Sequence, residues 1–265
     1  MFVDSHCHLS FPELQANLAD IRVAMALAKV DRALCICTTL EEFEQVHALA
    51  TTYDNFWCSA GVHPDNEGVR EPSVADLVEL ASRPRVVAIG ETGLDYYRLN
   101  GRTVADMEWQ RERFRTHIRA ARLSGLPLVV HTRNSSDDTL AVLAQEGAMD
   151  VGGVFHCFTE SEAVARAALD LGFYISFSGI LTFKTASDLR AVARFVPLER
   201  CLIETDSPYL APVPFRGRLN SPAHVSLVAR QIAELKGVEV EQIAEATSRN
   251  FERLFNIPEM RYRAD

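Results

Sequence analysis

Five of the eight histidines fall at the ends of short apolar runs, beside acids and hydroxyls. The clusters are Asp4-Ser5-His6-Cys7-His8, Gly61-Val62-His63-Pro64, Gly90-Glu91-Thr92-Gly93-Leu94-Asp95, His131-Thr132-Arg133, His156-Cys157 and Glu204-Thr205-Asp206-Ser207-Pro208. Successive side chains on a strand point to opposite faces. His6 and His8 therefore share a face, and Cys7 turns away from them. Two imidazoles so placed reach one ion. A lone strand histidine is more commonly a hydrogen-bonded core residue, but the case for a metal strengthens when His131, His156, Glu91 and Asp206 meet the pair on one rim. Imidazoles with carboxylates suit zinc, manganese or iron, and added carboxylates admit magnesium. Six candidate ligands, His6, His8, Glu91, His131, His156 and Asp206, are too many for one tetrahedral ion and suit two.

The elements that position these residues follow from a repeated pattern. Apolar runs at 1–8, 32–39, 56–64, 86–95, 127–133, 152–159, 174–180 and 201–208 alternate with amphipathic stretches at 18–30, 41–53, 74–82, 106–124, 138–146, 161–171 and 186–195. Two further helical stretches, 224–236 and 241–255, close the chain. In the 106–124 stretch, Phe114, Ile118, Ala121 and Leu123 fall near helical spacing, with Arg111, Arg113, Arg115, Arg119 and Arg122 on the wetter faces. Gly125 is placed to end that helix and Pro127 to open the next strand. Continuously apolar strands separated by helices predict a parallel sheet covered on its outside. Eight such units predict an α/β fold of the (β/α)8 TIM-barrel type, whose active site lies at the C-terminal ends of the strands. The competing open, doubly wound sheet lacks support, because no GxGxxG follows the first strand. With no linker-like change of composition, residues 1–265 are expected to form one domain. In a barrel, Glu91 on the fourth strand lies between strands one and eight and strands five and six. It is therefore expected to bridge metal A, on His6, His8 and Asp206, and metal B, on His131 and His156.

Composition narrows the partners. The 265 residues are 48% hydrophobic and 24% charged, which argues for a globular chain. No apolar run is long enough to span a membrane, and the N-terminal residues lack the basic start of a secretory signal. A cytoplasmic protein is expected. The net charge is −9, and the only lysines are Lys29, Lys184 and Lys236. Nucleic acid would then be met at a local site and not across a broad basic face. Cys7, Cys35, Cys37, Cys58, Cys157 and Cys201 form no CxxC pair and read as reduced, buried thiols.

The six motifs, in this order, resemble the TatD family of metal-dependent hydrolases, from Met1 to about Phe255. The tract from Pro212 to Pro222 also looks like the family's segment after strand eight. The resemblance implies an amidohydrolase-type TIM barrel, a dinuclear divalent-metal site and phosphodiester hydrolysis, commonly of DNA. It carries ligand roles onto His6, His8, Glu91, His131, His156 and Asp206. Many related amidohydrolases bridge their metals with a carbamylated lysine, whereas here Glu91 takes that place.

The expected function is a deoxyribonuclease, an exonuclease that uses two divalent ions per subunit (Mg, Mn or Zn) to activate water. Single-stranded DNA or DNA ends are the expected substrate, with no membrane partner and a monomeric state favoured. The alternative is a hydrolase with the same metals and a small ester, amide or aminoacyl substrate. A scaffold protein is disfavoured by the intact ligand set. The catalytic residues are expected to be Asp206, Glu91 and His63. Asp206 would take a proton from the attacking water. His63 would contact phosphate, protonate the leaving oxygen, or hydrogen-bond behind the ligands. Arg133, Arg216 and Arg218 would contact substrate phosphate. Glu204, two residues deeper than Asp206, is grouped with these substrate-site residues and expected to support them. Tyr96 and Tyr97 would either stack on a base or pack within their loop.

Overall fold

The computed structural model describes residues 1–257; the expected domain's last residues, 258–265, lie outside the described residues. The strands are β1 (Phe2–Cys7), β2 (Val30–Cys35), β3 (Phe56–Ala60), β4 (Val86–Asp95), β5 (Leu128–Arg133), β6 (Gly153–Phe155), β7 (Tyr174–Phe177) and β8 (Cys201–Ile203). They form one sheet in chain order, and every neighbouring pair is parallel. A parallel bridge between Cys7 and Ser207 closes the ring just beyond β8. At this seam the His8 N–H donates to Ser207 O at 2.8 Å, and the Asp206 N–H to His6 O at 3.0 Å. Asp4 strengthens the closure by accepting from the Thr205 N–H at 2.9 Å and the Thr205 hydroxyl at 2.5 Å. The expected TIM barrel is the observed architecture.

The helices are α1 (Pro12–Gln15), α2 (Leu18–Leu27), α3 (Phe43–Thr52), α4 (Val74–Ala81), α5 (Glu108–Ser124), α6 (Ser136–Gln145), α7 (Glu162–Asp170), α8 (Ser187–Phe195), α9 (Val225–Lys236) and α10 (Val240–Leu254). Local signals explain several of their ends. Ser73 and Asp76 form a reciprocal capping box at the start of α4. Gly125, at φ 68°, ends α5 in the left-handed conformation. The short helix α1 escaped the periodicity reading, although Pro12 opens it at a favoured first position. Among the described residues no helix is long and apolar enough to cross a membrane.

Alternate strand residues serve two cores. Val3, Leu34, Ala88, Val129, Val154 and Leu202 pack together with Phe251 of α10 and with Phe255 and Ile257 just beyond it, so that α10 and its end plug the base of the barrel. The other strand faces, including Cys35, Ile89, Val130 and Ile175, meet helix residues such as Phe43, Phe114 and Ile232. With the base filled by apolar side chains, the C-terminal rim is left to polar ones.

Two expectations need correction. The strands expected over 152–159 and 201–208 stop at Phe155 and Ile203. Just beyond them Cys157 and Asp206 take positive φ values of 42° and 56°. The backbone there has left the extended form, so rim side chains are aimed by turns. On α5, Phe114, Ile118 and Ala121 are buried as expected, but Leu123 is 72% exposed and Arg113 only 4%. Leu123 lies off the seven-residue row running from Phe114 to Ala121. Arg113 is drawn inward by Glu71 and by backbone carbonyls of the loop after β3.

Candidate metal centre

Glu91 occupies the middle of the rim. Its backbone N–H donates to Cys37 O at 3.0 Å, tying β4 to the end of β2. Close approach by β4 depends on two glycines with positive φ. A Cβ on Gly90 would stand 2.6 Å from Val129 O, and one on Gly93 would stand 1.9 Å from His131 O. Any larger residue would force β4 away from β5 and carry Glu91 away from His131.

The two carboxylate oxygens of Glu91 face different partners. Oε2 lies 3.3 Å from His6 Nε2 and 3.9 Å from His8 Nε2. Oε1 lies 2.7 Å from His156 Nε2, 3.2 Å from His131 Nδ1 and 3.3 Å from His63 Nε2. Asp206 Oδ1 reaches His6 Nε2 at 3.5 Å and His8 Nε2 at 3.4 Å. All six expected ligands are thus brought together, with His63 beside them. The ligand atoms of His6, His8 and Glu91, of His6, His156 and Asp206, and of His63, Glu91 and His131 each lie close enough to hold an ion.

Further carboxylates hold the rings. The His156 Nδ1–H donates to Glu204 Oε1 at 3.2 Å, and the Cys157 N–H donates to the same oxygen at 2.8 Å. His131 Nε2 pairs with Asp95 Oδ2 at 3.1 Å, which leaves Nδ1 to face Glu91. Carboxylates behind metal-bound histidines fix ring orientation and tautomer. Asp95 closes β4 and was missed as a functional residue in the sequence. Its signal was the acid four residues beyond Glu91 in the same motif.

The charges are strongly coupled. Burial opposes ionisation of Glu91, but His156, His63 and His6 overcome it and hold the carboxyl well below its usual range. Asp206 is held low in the same way, by His8, His6 and His156 against burial. Burial pushes His156 down, but Glu91 and Glu204 raise it well above an ordinary histidine. His8 and His131 are likewise raised against burial, His8 by Asp206 and Glu91 and His131 by Asp95 and Glu91. Burial and the neighbouring His156 instead push His6 down. Ionised carboxylates and imidazole lone pairs converging in a buried space call for a cation. Among the described residues, His6 Nδ1 and His8 Nδ1 have no hydrogen-bond partner, while both rings turn Nε2 to Glu91 and Asp206. The donor set fits divalent metal.

The centre forms the floor of a cavity of about 710 Å³. Its lining includes His8, His63, Glu91, His131, His156 and Asp206, together with Arg98 and Arg133. Arg133 lies 3.6 Å over the Tyr97 ring. Arg98 was missed in the sequence, and only its place after β4 hinted at it. Phe11 and Tyr209 also line the cavity and were missed. The Phe11 ring stacks on His8 at 4.7 Å and meets Tyr209 edge-on at 6.3 Å.

One expected substrate contact is corrected. Glu204 is fully buried and touches His156, so it supports a ligand and does not meet substrate. Arg216 and Arg218 are absent from the cavity lining. The Arg216 guanidinium lies 3.6 Å over the Phe183 ring. Of the two tyrosines, Tyr96 is buried and donates its hydroxyl to Asp138 of α6 at 2.7 Å, while Tyr97 is exposed beneath Arg133.

A TIM barrel with this donor set at its rim defines a metal-dependent hydrolase. A family profile described as TatD related DNase matches residues 3–256, and the chain belongs to that family. It is 49% identical over 259 residues to an uncharacterized metal-dependent hydrolase, YcfH, of Escherichia coli strain K12, with 96% of each chain covered. It is 34% identical over 236 residues to a Klebsiella pneumoniae strain 342 protein named 3'-5' ssDNA/RNA exonuclease TatD, covering 87% of this chain and 88% of that one. The crystal structure of YJJV, a TatD homolog from Escherichia coli K12, matches it with a TM-score of 0.89 at 30% identity, covering 97% of this chain and 98% of that one.

Proposed function

We propose that this protein is an exonuclease that hydrolyses phosphodiester bonds at the ends of single-stranded DNA, using two divalent ions. The observation that carries the reading is Glu91, whose Oε2 faces His6 and His8 while Oε1 faces His131 and His156. His6, His8, Asp206 and Glu91 would hold one ion, and Glu91, His131 and His156 the other. Divalent ions at such a site lower the pKa of water and offset charge on phosphoryl oxygens.

The protein's own groups do the rest. Asp206 is a carboxylate at the cavity wall, held ionised and 14% exposed at its side chain. It accepts the proton of the attacking water as the water oxygen bonds to phosphorus, while the breaking P–O bond leaves its electron pair on the departing sugar oxygen, which takes up a proton from solvent. His63 accepts a hydrogen bond at Nδ1 from the Asp65 N–H at 3.1 Å. That bond leaves Nε2 as the ring nitrogen that can present a hydrogen to a phosphoryl oxygen. Arg98 and Arg133 grip phosphates farther from the scissile bond. Phe11 and Tyr209 present faces on which a terminal base stacks. A cavity of about 710 Å³ admits a strand end but gives a rigid duplex little to hold. The family description and the Klebsiella relative's name support the substrate class.

The test incubates purified protein with Mg, Mn or Zn on end-labelled single-stranded DNA, small phosphodiesters and aminoacyl esters. Mononucleotides released progressively from the labelled strand support the proposal. Turnover confined to the small esters would replace it with the small-substrate reading.

A further inference from the structure

The loop that carries His63 is held from behind by a buried arginine and a buried histidine of α5. Arg113 Nη1 donates to His63 O and to Asn66 O, both at 2.8 Å. Its Nε donates to Glu71 Oε2 at 2.9 Å, and its Nη2 pairs with Glu71 Oε1. One helical turn further along, His117 Nε2 accepts from the Val62 N–H at 2.9 Å, and its Nδ1–H donates to Arg113 O at 2.7 Å. Burial pushes the His117 pKa down to about 4, so the ring is neutral and its Nε2 lone pair is available to Val62.

A guanidinium in the interior is costly unless every donor is satisfied, and an ordinary loop does not need one. Here it grips the backbone on both sides of the turn whose Asp65 N–H pins His63 Nδ1. Thr38 O holds the same turn from the metal side, accepting from the His63 N–H at 2.9 Å and from Asn66 Nδ2 at 2.9 Å. Each contact fixes main chain, and together they leave the imidazole one direction in which to aim Nε2.

We infer that Arg113, anchored by Glu71 and seconded by His117, is a positioning residue that sets the tautomer and aim of His63 toward substrate. This inference rests on the reading of His63 as a hydrogen-bond donor to substrate. The test compares His63→Ala, Arg113→Met and the double variant on a single-stranded oligonucleotide. It also records the ring ¹⁵N spectrum of His63 in metal-free protein. His63→Ala should lower kcat/KM by about a hundredfold, the scale of losing one donor to a developing charge. Arg113→Met should cost about tenfold, and the double variant should match His63→Ala within about twofold, because effects routed through one group do not multiply.

In the spectrum, wild type should show Nδ1 as the acceptor nitrogen, and Arg113→Met should show mixed tautomers. Losses that multiply in the double variant, or an unchanged His63 spectrum in Arg113→Met, would overturn the inference. If Arg113→Met does not fold, Arg113→Lys, which keeps the charge but not the fork, takes its place. If His63→Ala costs less than about threefold while DNA is still degraded, the donor role falls and this inference with it, but the nuclease reading stands. If wild type does not cleave DNA at all, the nuclease reading fails and the ring spectrum alone decides the clamp.

Discussion

The imidazoles of His6 and His156 lie face to face, with centroids 3.9 Å apart and planes within 8° of parallel. One ring comes from β1 and the other from the turn after β6. Each presents Nε2 to a different oxygen of Glu91, at 3.3 Å for His6 and 2.7 Å for His156. The stacked pair therefore fixes the spacing of two ligand sets about one carboxylate.

Glu91→Gln should leave the barrel folded, lower the bound metal below two ions per chain and reduce turnover by about a hundredfold or more. Elemental analysis alongside circular dichroism reads both. A single ion per chain in fully active wild type would contradict the shared-carboxylate account.

Asp206→Asn should bind metal at the His131 and His156 side much as wild type does, yet lose turnover by about a hundredfold or more. An amide retains an oxygen but cannot accept the water's proton. The loss should persist at saturating metal, and recovery of near-wild-type turnover there would restrict Asp206 to a ligand role.

Glu204→Gln removes the charge behind His156 while keeping an oxygen that can accept from its Nδ1. Metal affinity at the second position should fall by about 10- to 100-fold, the scale seen when such supporting groups are changed. Calorimetric titration of metal-free protein checks this, and an unchanged affinity would count against Glu204 as a support.

Much of this site was legible because the ligands sit in compact clusters where apolar runs end, and eight such runs imply a closed barrel. His6 and His8 needed only strand alternation. Phe11, Arg98 and Tyr209 lie in loops, whose course periodicity does not set, so their arrival at one cavity emerges only from the fold. Arg113 was misplaced on the wet face of α5 because its spacing resembles that of its exposed neighbours. The carbonyls and Glu71 that draw it inward belong to a loop far away in sequence.

The buried His117 gives a pH dependence to stability. Its folded pKa of about 4 lies below the ordinary histidine value of 6.5. Between those values the unfolded chain binds the proton and the folded chain does not, so the contribution is constant above pH 6.5 and stability falls as pH drops toward 4. The loss attributable to this residue is on the order of 3 kcal/mol. Denaturant unfolding at neutral pH and near pH 4 should show His117→Gln losing less stability than wild type over the interval. Parallel losses in the two proteins would remove His117 from the account.

The central claim is hydrolysis of single strands from their ends at this metal centre. The most direct measurement offers metal-loaded protein equal amounts of one sequence as linear and as covalently closed circular single-stranded DNA. The account predicts that the linear strand is converted to mononucleotides, that the circle persists, and that Glu91→Gln abolishes the difference by leaving both intact. Degradation of the circle as fast as the linear strand would contradict it.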